Sequence, residues 1–368
     1  MGSIGFGIVG CGFFGGEFAR IIHELEGAHV AAVFGGSARS TSAVAAETQC
    51  EVETSLERLV QRSDVDAVIV ASPNHVHLEP VLLAAQNGKH VFCEKPVALR
   101  LDECMKMVNA CAEANVHLMA GHILHFVKGI AQVKQWVREG AIGDPIVCHV
   151  ERTGWEPKRQ DHHNWKSDRS KTGGSLFHNI HELDLMLTIM GPAAQVFMAA
   201  DRMNDAPSDS AGEEHALMLT LQFANGGIGT MQYGSGFRWP EHYMKINGSQ
   251  GAIKIDFRSA NIELRTNSRA TFTIGLHENS AEDNERVQLM QAMNGGVIYG
   301  DPQLRPPGFL RTAMKKEIVY FRDVINGMAI DDDKRMLFDG TAAIRSVATA
   351  EAAMYSKQSG QASKLETR

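Results

Sequence analysis

The sequence predicts an α/β protein of two domains: an N-terminal doubly wound parallel sheet, and a C-terminal α/β domain built on a large, mostly antiparallel, open-faced sheet. Three observations predict it. A glycine-punctuated alternation of strand and helix starts at Ile4 and continues to about residue 123. From Gln195 the chain becomes a series of short strands joined by tight turns, which favours antiparallel pairing. At 368 residues it exceeds one ordinary core, at about 100–200 residues per domain. The expected division is 1–123 and 124–368, with a C-terminal helix over 339–356 able to pack back on the first domain.

Ile4 to Val9 alternates glycine with β-branched and aromatic residues and reads as a strand. It runs into Gly10-Cys11-Gly12-Phe13-Phe14-Gly15, and helical spacing follows from Glu17 to Leu25. This is GxGxxG between a strand and a helix, the context that motif requires. Gly10 allows a tight turn, Gly12 lets the backbone approach a pyrophosphate, and Gly15 lets helix pack on strand. The phosphates of a dinucleotide would lie on the helix's amide end, over the backbone that carries Phe13 and Phe14. The second strand, His29 to Phe34, ends at Gly35-Gly36 where an NAD site usually presents a carboxylate to the ribose. Ser37, Arg39 and Ser40 follow, a set that suits a 2′-phosphate and favours NADP over NAD. Arg39 could instead merely open the helix from Thr41 to Glu47.

Ser55 to Arg62 reads as an amphipathic helix and Asp66 to Ala71 as a strand buried on both faces. That strand ends at Ser72-Pro73-Asn74-His75-Val76-His77. A helix from Leu78 to Asn87 leads to Val91-Phe92-Cys93, an apolar run that stops at Glu94-Lys95-Pro96. Pro96 has no N–H for the ladder, so Lys95 stands at the carboxyl end of a strand, the edge at which ligands bind in such sheets. Further helices are expected at Asp102–Ala114 and at about 129–139, and a strand at Ile146–Arg152. Thr153 to Thr172 is a long polar loop that includes Trp155, His162, His163 and Trp165. Its tryptophans could stack on a sugar ring, or the loop could serve as an arm between subunits. Gly173-Gly174 opens a helix in which His178 and His181 share a face by i, i+3 spacing. Glu278 to Pro307 is polar and turn-rich and suits a lid, and helices follow at Thr312–Asn326 and Thr341–Met354.

Composition narrows the function. A formal charge of −7 leaves no basic face for nucleic acid or membrane lipid, and no stretch reaches the roughly 18 apolar residues of a membrane span. Six cysteines without CxxC spacing and no recognisable signal peptide point to a reducing, cytoplasmic setting. Four histidines (His122, His125, His178, His181) could suggest zinc, but two i, i+3 pairs on separate segments are not a metal signature. They read better as polar groups lining a carbohydrate pocket, and no metal is expected.

Gly10-x-Gly12-x-x-Gly15, Ser72-Pro73-Asn74-x-x-His77, Cys93-Glu94-Lys95-Pro96 and His181-Glu182-Leu183-Asp184, at these intervals, resemble the glucose-fructose oxidoreductase and inositol dehydrogenase (Gfo/Idh/MocA) family over nearly the whole chain. The resemblance implies a Rossmann domain, then a substrate domain on an open sheet, and NAD(P)-dependent interconversion of a secondary alcohol and a ketone on a sugar, glycoside or inositol. It implies that Lys95 binds the reacting hydroxyl and that His181 acts as acid or base. Ser72, Asn74, His77 and Glu94 would serve the cofactor, and His122, His125, Arg152, Trp155, Trp165 and His178 the substrate. Two departures stand out: Phe177 occupies a position where relatives carry aspartate, and His122 and His125 stand where many carry arginines. Alternatives to a simple dehydrogenase are a glycoside-cleaving or eliminating enzyme that keeps its nucleotide as an internal redox relay, and a non-catalytic nucleotide sensor. The uncovered sheet face calls for a homodimer or homotetramer. The expected chemistry has Lys95 and His181 converging over one nicotinamide ring.

Overall fold

The structure, a computed structural model, describes residues 2–154, 165, 168–201, 214–292 and 305–365. It divides into two compact units, Met1–Ile123 with Ile298–Ile344, and Leu124–Val297 with Arg345–Arg368.

The first unit alternates strand and helix: β1 (Ile4–Val9), α1 (Phe13–His23), β2 (Ala28–Phe34), α2 (Ala38–Thr48), β3 (Glu51–Val52), α3 (Leu56–Gln61), β4 (Ala67–Val70), α4 (Leu78–Gln86), β5 (His90–Glu94), α5 (Leu101–Glu113) and β6 (Leu118–Gly121). The six strands are parallel in the order β3-β2-β1-β4-β5-β6. All four residues of β4 are buried, as a parallel strand covered on both faces requires. The order reverses between β1 and β4, so the turns after Val9 and after Val70 flank the crevice where such sheets take ligands.

The second unit contains α6 (Lys128–Arg138), β7 (Pro145–Thr153), α7 (Arg169–Thr172), α8 (Ser175–His178), α9 (His181–Met190), β8 (Ala193–Asp201), β9 (Ala216–Phe223), β10 (Ile228–Gly234), β11 (His242–Gly248), β12 (Gly251–Asp256), β13 (Asn261–Thr266), β14 (Thr271–Gly275) and α10 (Ser280–Ala292). After α11 (Gly308–Ile325) and α12 (Arg335–Phe338), α13 (Thr341–Ser359) and β15 (Ser363–Lys364) complete the described chain. The nine-stranded sheet runs β14-β13-β12-β11-β7-β10-β9-β8-β15, antiparallel except for the β7–β10 pair. Its residues alternate cleanly. Leu217, Leu219, Leu221 and Phe223 are buried, while Met218 on β9, Phe197 on β8 and Ile228 on β10 are exposed on the other face.

Three differences from the sequence reading have physical causes. Residues 298–344, expected in the second domain, belong to the first unit, because α11 buries Ile318, Phe321 and Val324. The Phe321 ring lies 6.4 Å from Phe6 and 6.1 Å from Phe92, so this helix covers the first sheet. The single helix expected to carry His178 and His181 is broken. Asn179 leaves helical geometry (φ −115°, ψ 43°), and its backbone N–H at 3.1 Å and its side-chain amide at 3.2 Å both donate to the Ser175 carbonyl, which closes α8 there. The two histidines therefore do not share one helical face. Within the turn-rich stretch 278–307, α10 forms instead: the Asn279 side chain accepts from the N–H groups of Ala281 and Glu282, and Glu282 and Asp283 occupy the first turn. Trp155, His162 and His163 lie outside the described residues.

Candidate active site

The carboxyl edge of the first sheet is shaped for a dinucleotide. Gly10 has φ +98°, and a Cβ there would meet the Ser72 N–H group at 2.6 Å; a Cβ on Gly15 would fall 1.8 Å from the Gly10 carbonyl oxygen. Gly12 has nothing within 4 Å of its Cβ position, so that face of the turn is open. It is also the N-cap of α1, whose first turn holds no acid and whose leading amides have no side-chain cap, an arrangement suited to phosphate. Phe13 is buried and Phe14 half-buried, with their rings edge to face at 5.3 Å. Across the crevice the Ser72 hydroxyl is buried without a hydrogen-bond partner among the described residues. An orphaned hydroxyl beside an open glycine turn fits a bound nucleotide.

The other cofactor candidates separate by role. Ser37 caps α2, accepting from the Ser40 N–H at 3.1 Å, and Arg39 is exposed on that helix's first turn. Asn74 is buried. His77 is a strut: its Nδ1 lies 3.0 Å from the Pro96 carbonyl and its Nε2 2.9 Å from the Ser72 carbonyl, which ties the turn after β4 to the turn after β5. Burial pulls its pKa down, against the three carbonyls that favour the cation. Lys95 is half-buried at the end of β5, and the carboxyl of Glu94 accepts from the Lys95 N–H at 3.1 Å. Burial lifts that carboxyl to about 7 against the pull of the Lys95 ammonium. Gly121 of β6 has a packing reason: a Cβ there would meet the Phe92 ring at 2.9 Å. His122, next in sequence, is buried.

In the second unit His181 opens α9 and is half-buried, and the two acids that follow it are both buried. Glu182 accepts from Arg152 Nη1 at 3.0 Å and from His242 Nε2 at 2.9 Å. Burial works against its charge, but Arg152, His242 and His181 together hold its pKa well below the usual carboxylate range. His242, stacked on Phe257 at 4.4 Å, is pushed down to about 4 by burial. Asp184 accepts from His125 Nε2 at 2.9 Å. Lys134 lies 3.2 Å from the other nitrogen, His125 Nδ1, and since an ammonium only donates, Nδ1 accepts and Nε2 carries the proton. His125, Lys134 and Asp184 are all buried, so His125 braces α9 through its partners. Arg152 is likewise engaged with Glu182, its guanidinium 5.9 Å from the Tyr233 ring. Trp165 meets His178 edge to face at 6.4 Å. Phe177 is buried where relatives were expected to place an aspartate.

Sequence reasoning missed Lys134, Glu214 and His242, and held Asp184 only as part of the motif that begins at His181. Glu214 is fully buried at its side chain, is paired with Arg169 and Lys357, and accepts from the Ser175 N–H, which anchors the start of α8. Lys95 belongs to the first unit and His181 to the second. Among the described residues no group of three or more His, Cys, Asp or Glu side chains is arranged to hold a metal, and no helix is long and apolar enough to cross a membrane.

Two family models match the chain: an oxidoreductase-family NAD-binding Rossmann fold over residues 4–122, and the oxidoreductase-family C-terminal α/β domain over 134–366. A 2,7-anhydro-N-acetylneuraminate hydratase of Mediterraneibacter gnavus is 40% identical over 360 residues, 97% of this chain and 95% of the relative. One of Escherichia coli is 38% identical over 365 residues, 98% and 97% of the two chains. The solved structure of a levoglucosan dehydrogenase with NADH and levoglucosan has the same fold, with a TM-score of 0.79 at 18% identity, covering 99% of this chain and all of that one.

Proposed function

We propose, on the premise that this chain belongs to the Gfo/Idh/MocA family of NAD-binding oxidoreductases, that it opens the anhydro bridge of a 2,7-anhydro sialic acid by net addition of water, using NAD(P) as an internal redox relay. Likeness to two hydratases along nearly the whole chain carries this reading. When bound, the nicotinamide supplies the reversible removal of a hydride from a secondary alcohol carbon, with no net change of its own redox state.

The bridge is a C–O bond that water does not open easily by itself. Once a neighbouring alcohol is a ketone, the hydrogen beside it becomes acidic and the bridge oxygen can leave by elimination. Water then adds to the conjugated double bond, and the ketone is returned to an alcohol. Such a sequence needs two proton sites: one at the alcohol oxygen and one at the carbon acid or the departing bridge oxygen. We assign the first to Lys95 Nζ and the second to the His181 imidazole. The buried Glu182 and Asp184 fix the helix that begins with His181. Arg39, Ser37 and the missing carboxylate after β2 favour NADP as the resident nucleotide. The exposed Phe197, Met218 and Ile228 favour a homo-oligomer through the open sheet face.

A simple sugar dehydrogenase is the second reading, favoured by the family. Incubation with 2,7-anhydro-N-acetylneuraminate separates the two. Hydration predicts a product heavier by one water with no accumulation of reduced nucleotide, and Lys95→Ala and His181→Ala each lose about 100-fold or more in kcat. Stoichiometric nucleotide reduction without uptake of water would overturn it. The nucleotide released on denaturing the protein identifies NAD or NADP.

A further inference from the structure

α11 carries one acid in its apolar stripe. Phe309, Ala313, Glu317 and Phe321 recur every four residues and all are buried, so Glu317 points where Phe321 points. Phe321 packs on Phe92 of β5, and Glu94, two residues further along that strand, shares the face of Phe92. The helix stripe therefore sets the Glu317 carboxyl toward Glu94, at the carboxyl end of β5. Both oxygens of Glu317 are shut from solvent and have no hydrogen-bond partner among the described residues. Glu94 accepts only the Lys95 backbone N–H among the bonds described, and the Lys95 ammonium acts on its charge.

A carboxyl buried without a partner keeps its proton. Burial, and then the charge of Glu94, raises the Glu317 pKa well above the usual range. The other groups around the pair do not replace them. Cys93 lies on the opposite face of β5 with Cys104 and Cys111, a thiol that burial keeps protonated. Glu17 of α1 is taken by Arg20, Arg305 and Arg311. On α11 itself the Tyr320 hydroxyl accepts from the Asp331 N–H, near α12 Lys334 pairs with Asp333, and Phe18 and Phe338 are apolar. His77, whose ring lies within the field of Lys95, is spent on backbone carbonyls.

The geometry points to a proton store: Glu94, backed by the buried and neutral Glu317, takes up the proton of the substrate alcohol through Lys95 and gives it back within the same turnover. The inference rests on the hydration reading, in which whatever leaves the alcohol must return. As the hydride leaves the carbon, the O–H proton passes to Lys95 Nζ while one Nζ proton passes to the Glu94 carboxylate. The alcohol becomes a ketone, Lys95 remains an ammonium, and Glu94 becomes a neutral acid beside the already neutral Glu317. Return of the hydride reverses both transfers. Glu94 acts only through Lys95, and Glu317, which keeps its own proton throughout, acts only through Glu94.

The test is infrared titration of the holoenzyme together with turnover. Wild type is expected to show two protonated-carboxyl bands: one that persists above neutrality and one that disappears near pH 7. Glu317→Gln removes the first and Glu94→Gln the second. Each lowers kcat by about tenfold at unchanged KM, and added imidazole restores part of the loss, which a merely structural defect would not allow. Bands unaffected by the substitutions, or kcat within about twofold of wild type in both variants, overturn the store while leaving hydration intact. A wild type with both bands that fails to hydrate the anhydro sugar overturns the hydration reading and the store with it.

Discussion

Glu182 in the second unit and Glu317 in the first are both carboxyls removed from water, and they end in opposite states. Glu182 meets Arg152 and His242, and its charge is fixed. Glu317 meets the field of another acid, and its proton is fixed. Burial alone decides neither outcome; the groups across from the carboxyl decide it. The paired acids of α9 behave as braces, while in the first unit Glu317 keeps its proton and Glu94 is lifted to about 7.

The strongest way to break this contrast is Glu182→Gln. It leaves Arg152 and His242 facing a neutral amide, and it should cost about 3 kcal/mol in chemical unfolding. A loss under about 1 kcal/mol would mean that the brace is idle. Stability measured against pH sharpens the contrast next. The folded state binds the Glu182 proton more weakly than the unfolded chain does, so that contribution is present above the carboxylate range and is lost as pH falls. His242, brought from 6.5 to about 4, has the same sign: its contribution is full above 6.5 and is lost as pH falls toward 4. Glu94 and Glu317 run the other way, because their folded pKa values lie above the ordinary 4.5. Their contribution is full below 4.5 and is lost as pH rises, for Glu94 through about 7 and for Glu317, held well above the usual range, as pH rises above the carboxylate range. Glu317→Gln should therefore flatten the decline of stability above 4.5, and Glu182→Gln should not. Equal slopes in the two variants would erase the distinction. The smallest expected effect is that of His125→Gln, about 1 kcal/mol in unfolding, because an amide keeps the donor to Asp184 and loses only part of the ring packing.

The first sheet was legible because its signals are local. Glycines at 10, 12 and 15, an apolar β4 and a proline after Lys95 each announce a backbone event within a few residues. Lys95 and His181 were read from motifs of the same short range. The braces were not, because their halves meet only after folding: Glu182 with His242 across 60 positions, His125 with Asp184 across 59, and Glu214 with Lys357 across 143. The break at Asn179 escaped because i, i+3 spacing survives in the sequence when the helix does not. Glu317 left a visible trace, an acid in register with Phe309, Ala313 and Phe321, where an amphipathic helix should be apolar.

The return of α11 and α12 to the first unit bears on how that unit can be made. A protein cut after residue 123 would lack Phe321 over Phe6 and Phe92, and Glu17 would lose Arg305 and Arg311. On the ribosome the nucleotide-binding half must wait for nearly the whole polypeptide to emerge before its sheet is covered. Any minimal cofactor-binding fragment has to splice the two distant stretches together.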